Sequence, residues 1–119
     1  MRSLHEIIRE SVYVKIRSVT VEDAAADRPV ENVEDLKEGT EFIVHISPDF
    51  PEAKADVSSM HASFRYRVRG DFTVEQLSFV PSFQNVKPLV DTGRWVTKLA
   101  GFGPQIAEAI ARALKVHPT

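Results

Sequence analysis

Residues 60–75 read Met60-His61-Ala62-Ser63-Phe64-Arg65-Tyr66-Arg67-Val68-Arg69-Gly70-Asp71-Phe72-Thr73-Val74-Glu75. Every even position is apolar or glycine, and every odd one is polar or charged. A period of two over sixteen residues is the mark of extended chain with one face buried and one in water. A two-residue turn at Gly70-Asp71 would set Arg69 opposite Phe72 and Arg67 opposite Val74. Directly opposed residues share a face, so that pairing would put charge against apolar throughout. One long strand, kinked at Gly70, is therefore favoured. A three-residue hairpin over Arg69–Asp71 keeps the faces matched and is the alternative.

Working outward, Val12, Val14 and Ile16 alternate with Tyr13, Lys15 and Arg17, which predicts another strand. At Ser18 the phase flips to Val19 and Val21, as a β-bulge would produce. Leu4, Ile7 and Ile8 have helical spacing, so residues 3–10 are expected to form one or two helical turns. The acidic, alanine-containing stretch 23–39 reads as a solvated connection with a helical turn near Val33–Leu36. Phe42, Val44 and Ile46 give a further strand, ended by Pro48 and Pro51. Beyond Glu75 the parity changes, and Leu77, Phe79, Val80 and Phe83 follow. A helix capped by Asp91 or Thr92 is predicted to carry Trp95, Val96 and Leu99. Gly101 and Gly103 should interrupt it, and Pro104 should open a last helix with Ile106, Ile110 and Leu114 on one face.

These elements imply one α+β domain over residues 1–119: an antiparallel sheet of three to four strands followed by C-terminal helices. Apolar residues make up 43% of the 119, enough for a modest core. Cysteine is absent, which removes disulfides and thiolate ligands and fits a reducing compartment. Met1–Glu10 shows no apolar signal-peptide region, and no stretch approaches the length of a membrane span. A cytoplasmic location is expected, with no membrane partner. The net charge of −2 is unevenly distributed, with thirteen acids against seven bases before residue 60 and four against eight after it. Such a chain can present a polarised surface.

Signals of catalysis are sparse. His5, His45, His61 and His117 have no metal-like spacing, although His45 and His61 lie on strands and could approach one another. Asp49, Glu52 and Asp56 lack calcium-loop spacing. There is no phosphate-cradling loop and no nucleophile elbow. No enzyme activity, cofactor or metal is expected. Arg65, Arg67 and Arg69 share a strand face about 7 Å apart, near the phosphate spacing of a nucleic-acid strand. Pairing with acids on a neighbouring segment is the favoured reading of that row.

Two resemblances add to this. Leu99-Ala100-Gly101-Phe102-Gly103, followed by Ala107 and Ile110, resembles a helix-hairpin-helix motif. The resemblance implies backbone N–H groups at Gly101 and Gly103 facing a DNA phosphate, with Lys98 and Arg94 nearby. Gln105 stands where that family often has a basic residue. The order of antiparallel sheet and then C-terminal helices resembles the SecB-like export chaperones, including those that partner toxin–antitoxin systems. Within it, residues 64–74 resemble the family's last strand, with its Gly-x-Phe step. Pro104, Glu108 and Ile110 match that family's helix.

The SecB-like resemblance implies a non-catalytic protein that holds unfolded polypeptide or a specific protein partner. Phe79, Phe83 and Trp95 are the expected contacts. A DNA-binding module, or a structural or inhibitory protein of a phage or mobile element, is the alternative. A homo-oligomer is expected, because the apolar strand face and the alanine-rich helix exceed what so short a chain readily covers.

Overall fold

The computed structural model describes residues 3–116. Its elements run α1 (Leu4–Ser11), β1 (Lys15–Asp23), β2 (Arg28–Pro29), β3 (Glu41–Asp49), β4 (Ser59–Val68), β5 (Val74–Gln84) and α2 (Gly93–Val116), with 3₁₀ turns at Val33–Asp35 and Pro51–Ala53. The five strands form one antiparallel sheet in the order β2-β1-β3-β4-β5. The α+β class and the antiparallel sheet are as expected. The additional strand is β2, two residues long and too short to leave a periodic signal.

Local chemistry accounts for most boundaries. The Ser3 hydroxyl caps α1 by accepting from the Glu6 N–H at 3.2 Å, and Leu4, Ile7 and Ile8 face inward. The register of β1 against β3 slips between Ile16 and Ser18, where the apolar phase flips. Pro48 lies inside β3 rather than ending it. The pairing of β3 with β4 stops at Ile46, so by Pro48 the strand is paired on one side only and a missing N–H can be tolerated.

Residues 60–75 do not form one strand; they turn. Val68 pairs with Val74, the Phe72 N–H donates to the Arg69 carbonyl at 3.1 Å, and the Arg69 N–H donates to the Thr73 carbonyl at 2.9 Å. The loop is thus Gly70-Asp71-Phe72, one residue later than the Arg69–Asp71 alternative. Phe72, rather than Asp71, takes the left-handed conformation, at φ 62°. Asp71 holds the turn from within, accepting from both the N–H and the hydroxyl of Thr73. In β5 the extra residue Leu77 makes a bulge, since Tyr66 pairs with Gln76 but Arg65 with Ser78. That bulge is the parity change after Glu75.

The C-terminal segment differs from expectation in the opposite sense. Instead of two helices broken at Gly101–Gly103, α2 runs unbroken for 24 residues with Pro104 inside it. Its buried residues Trp95, Leu99, Phe102, Ile106, Ile110 and Leu114 recur every three or four positions. The apolar stripe therefore keeps its phase across the glycines, and burying it rewards a continuous helix over a local break. Helix α2 lies across β5 and β4 and packs on α1, which covers β1. One core cluster fills the space between these helices and the row Phe42, Val44, Ile46, Ala62, Phe64, Tyr66 and Val68. The other sheet face is open.

Candidate functional site

Strand β5 ends the sheet, opposite β2. Its 11 residues span about 37 Å, and along one side its N–H and C=O groups have no strand to pair with among the described residues. Leu77, Phe79, Pro81 and Phe83 form its half-buried row on the helix side, whereas Ser78, Val80, Ser82 and Gln84 are exposed. Phe79 stacks on Phe64 with ring centroids 5.3 Å apart, and Phe83 pairs with Met60. Val80 is 59% exposed on the open face. Glu75 is the strand's sole ionisable residue and is paired with Arg69 at 2.9 Å. Pro81 is tolerable here because an edge strand has a side that needs no donor.

Apolar residues continue past both ends of the strand. Phe72 and Leu89 each adopt a left-handed backbone, at φ 62° and 67°, a conformation uncommon for bulky residues. Leu89 is fully in water, and Phe72 and Val86 are also exposed. Of the six large apolar side chains most exposed among the described residues, four (Phe72, Val80, Val86 and Leu89) fall between residues 72 and 89. Strain and exposure thus coincide in the segments that lead into and out of this strand.

Of the three expected protein contacts, Phe79 and Phe83 lie on this strand. Trp95 does not join them: it is 3% exposed, tilted against Phe50 at 5.6 Å, with the Arg94 guanidinium 4.7 Å above its ring. Lys98 lies 5.2 Å from the same ring and 3.4 Å from the Glu52 carboxylate. Arg94 and Lys98 therefore cap an aromatic cluster. Gly101 and Gly103 sit inside α2, so their N–H groups belong to a helix interior rather than to a turn facing a phosphate. Gly103 is a packing residue. A Cβ there would collide with the Gln76 side-chain amide beside the β5 bulge, and the Gly103 carbonyl accepts from the buried Tyr66 hydroxyl at 2.8 Å. Burial pushes the Tyr66 phenol's ionisation upward.

The open face carries a charge lattice. Arg67 and Arg65 both bind Glu41 at 2.9 Å, and Arg69 binds Glu75, so the arginine row is matched by carboxylates on neighbouring strands. Hydrogen bonds from Arg67, and then from Arg65, hold the Glu41 carboxyl below its usual range. Beside it, His45 touches the Ser63 hydroxyl through Nδ1 at 2.7 Å and Glu22 through Nε2 at 3.0 Å. This Ser-His-Glu row spans three adjacent strands on a flat, half-exposed surface whose backbone N–H groups serve the ladders. Such cross-strand contacts favour this register of the three strands. His45 directs its hydrogen bonds to Ser63 and Glu22, and His61 lies diagonally across the β3–β4 pair from it on the same face. His117 lies outside the described residues.

A shallow cleft of about 450 Å³ at the end of the sheet is lined by Asp23, Glu38, Glu41 and Arg65, together with the backbone around Gly39. No cluster of three or more metal-ligating side chains occurs among the described residues, and no helix among them is long and apolar enough to cross a membrane.

No protein-family model, curated protein or solved structure matches the chain.

The residues that sequence reasoning missed are Val80, Phe72, Val86 and Leu89. A period-two pattern marks which face a residue occupies, but not whether its strand lies at the centre or the edge of a sheet. The sequence signal that could have raised the question is the single charge in residues 74–84, beside the five arginines and acids in residues 65–75.

Proposed function

We propose that this protein is a non-catalytic binding protein, SecB-like in its mode of action, that takes an extended segment of another polypeptide along the open side of β5. The observation that carries this reading is an 11-residue edge strand with one ionisable residue, flanked at both ends by exposed apolar side chains in left-handed backbone. Main-chain hydrogen bonds to such an edge are indifferent to sequence, which suits the holding of unfolded chains. Phe79, Phe83 and Val80 supply apolar contact beside them.

The test is suppression of aggregation. Reduced lysozyme diluted from denaturant should scatter less light in the presence of a several-fold molar excess of this protein, without ATP. Leu89→Asp and Phe72→Asp should weaken the effect while leaving the circular dichroism unchanged, because both side chains face solvent. Undiminished aggregation at that excess would defeat the proposal.

A further inference from the structure

Residues 76–84 read Gln76-Leu77-Ser78-Phe79-Val80-Pro81-Ser82-Phe83-Gln84. About Val80 this is a chemical palindrome: Gln matches Gln, Leu matches Phe, Ser matches Ser, and Phe matches Pro. The segment occupies most of the free edge. An antiparallel strand related by a two-fold axis meets its own sequence reversed, so a palindrome about one residue is what a self-pairing edge requires.

We infer that β5 pairs with β5 of a second copy, antiparallel and centred on Val80, joining two five-stranded sheets into one. In this register Val80 faces its own copy on the open face, with Ser78 opposite Ser82; Gln76, paired with Tyr66 and set against Gly103 of α2 at the bulge, lies on the helix side and outside the matched row. On the helix side Leu77 meets Phe83, and Phe79 meets Pro81. Each pair joins like with like across a continuous sheet, since directly opposed residues share a face. Glu75, the strand's one ionisable residue, lies beyond the matched segment, so no two like charges are opposed within it. Moving the centre by one residue, to Phe79, sets Glu75 against Phe83 and Ser78 against Val80, and the match is lost. Pro81 lacks an amide hydrogen, so any strand added here, a second copy included, forgoes one main-chain bond at that position. The matched side chains then decide the partner, and a second copy supplies them.

The inference shares with the proposed function the openness of β5, and it names the partner that fills this edge when no client does. Because the chain contains no cysteine, single substitutions report the register cleanly. Directly opposed Cα atoms in an antiparallel pair lie about 4.5–5.5 Å apart, within disulfide range. Val80→Cys should therefore oxidise to a covalent dimer. Ser78→Cys and Ser82→Cys should each stay uncrosslinked alone, since four residues of offset separate like positions by about 13 Å. An equal mixture of the two should crosslink.

Sedimentation velocity of the unsubstituted chain should show a dimer at tens of micromolar. A monomer there, or crosslinking of Ser82→Cys alone as fast as Val80→Cys, would overturn the inference. The two readings separate cleanly. A crosslinked dimer whose reduced form cannot hold reduced lysozyme retires the function and leaves the dimer. A monomer that holds it does the reverse.

Discussion

Strands β4 and β5 are two arms of one hairpin, yet they stand in different physical surroundings. Strand β4 has a neighbour on each side, and its inward residues Phe64 and Tyr66 are 0% exposed. Its outward arginines are tied to Glu41 on β3. Strand β5 has one neighbour, only half-covers its aromatic residues and carries one ionisable group. Stability should therefore reside in β4 and recognition in β5. A substitution that weakens the fold in one should pass almost unnoticed in the other.

The sharpest way to break that contrast is to truncate matched positions. Phe64→Ala should cost about 3–5 kcal/mol, because it opens a cavity beneath α2. Val80→Ser, 59% exposed in the single chain, should stay within about 0.5 kcal/mol of the parent at protein concentrations low enough to keep both monomeric. Urea denaturation followed by circular dichroism reads both, and similar losses at the two sites would erase the distinction.

Tyr66→Phe comes next in size. It removes the hydroxyl that anchors β4 to the Gly103 carbonyl and should cost about 1 kcal/mol. The same denaturation measurement checks it, and no loss would mean that α2 does not depend on this link.

Gly101→Ala should stabilise the protein by about 0.5–1 kcal/mol. An added Cβ there meets nothing within 4 Å, and alanine is the better helix residue. A lower melting temperature would show that Gly101 serves a turn after all.

The smallest effect concerns the lattice on β4. The Glu41 carboxyl is held below its ordinary value of 4.5 by Arg67 and Arg65, so its contribution is fully present above that pH and is lost as pH falls through the depressed folded value. Stability of the parent should thus fall more steeply below pH 4.5 than that of Glu41→Gln, with the two curves parallel from pH 6 to 8. Parallel curves at every pH would mean that the arginine clamp has no energetic consequence.

The same contrast explains what could be read from the residues. The bulge after Ile16, the turn at Val33, the short first helix and the apolar row of β4 were all legible, because each rests on local period or phase. The hairpin at Gly70 was not. A loop with an odd number of residues preserves the parity of a period-two pattern, so alternation continues whether the chain runs straight or reverses. At Gly101-Phe102-Gly103-Pro104 the error ran the other way. Local breaker residues suggested a turn, while the stripe from Trp95 to Leu114 continued in phase and tertiary burial won. Trp95 is unmistakable as an apolar aromatic, but its burial depends on Phe50, which lies 45 positions away. The palindrome about Val80 is plain in the sequence. Its meaning depends on β5 being an edge, and only the strand order supplies that.

The central claim is that β5 accepts another strand, and backbone amide shifts test it most directly. The ¹⁵N-labelled protein would be titrated with reduced, carboxymethylated lactalbumin, a chain that remains unfolded. Perturbations should concentrate along Leu77–Phe83 and reach Phe72 and Leu89, with β1 and the open face of β3 unchanged. Perturbations centred instead on Gly101–Gly103, or on the His45–Ser63 face with β5 silent, would contradict the account.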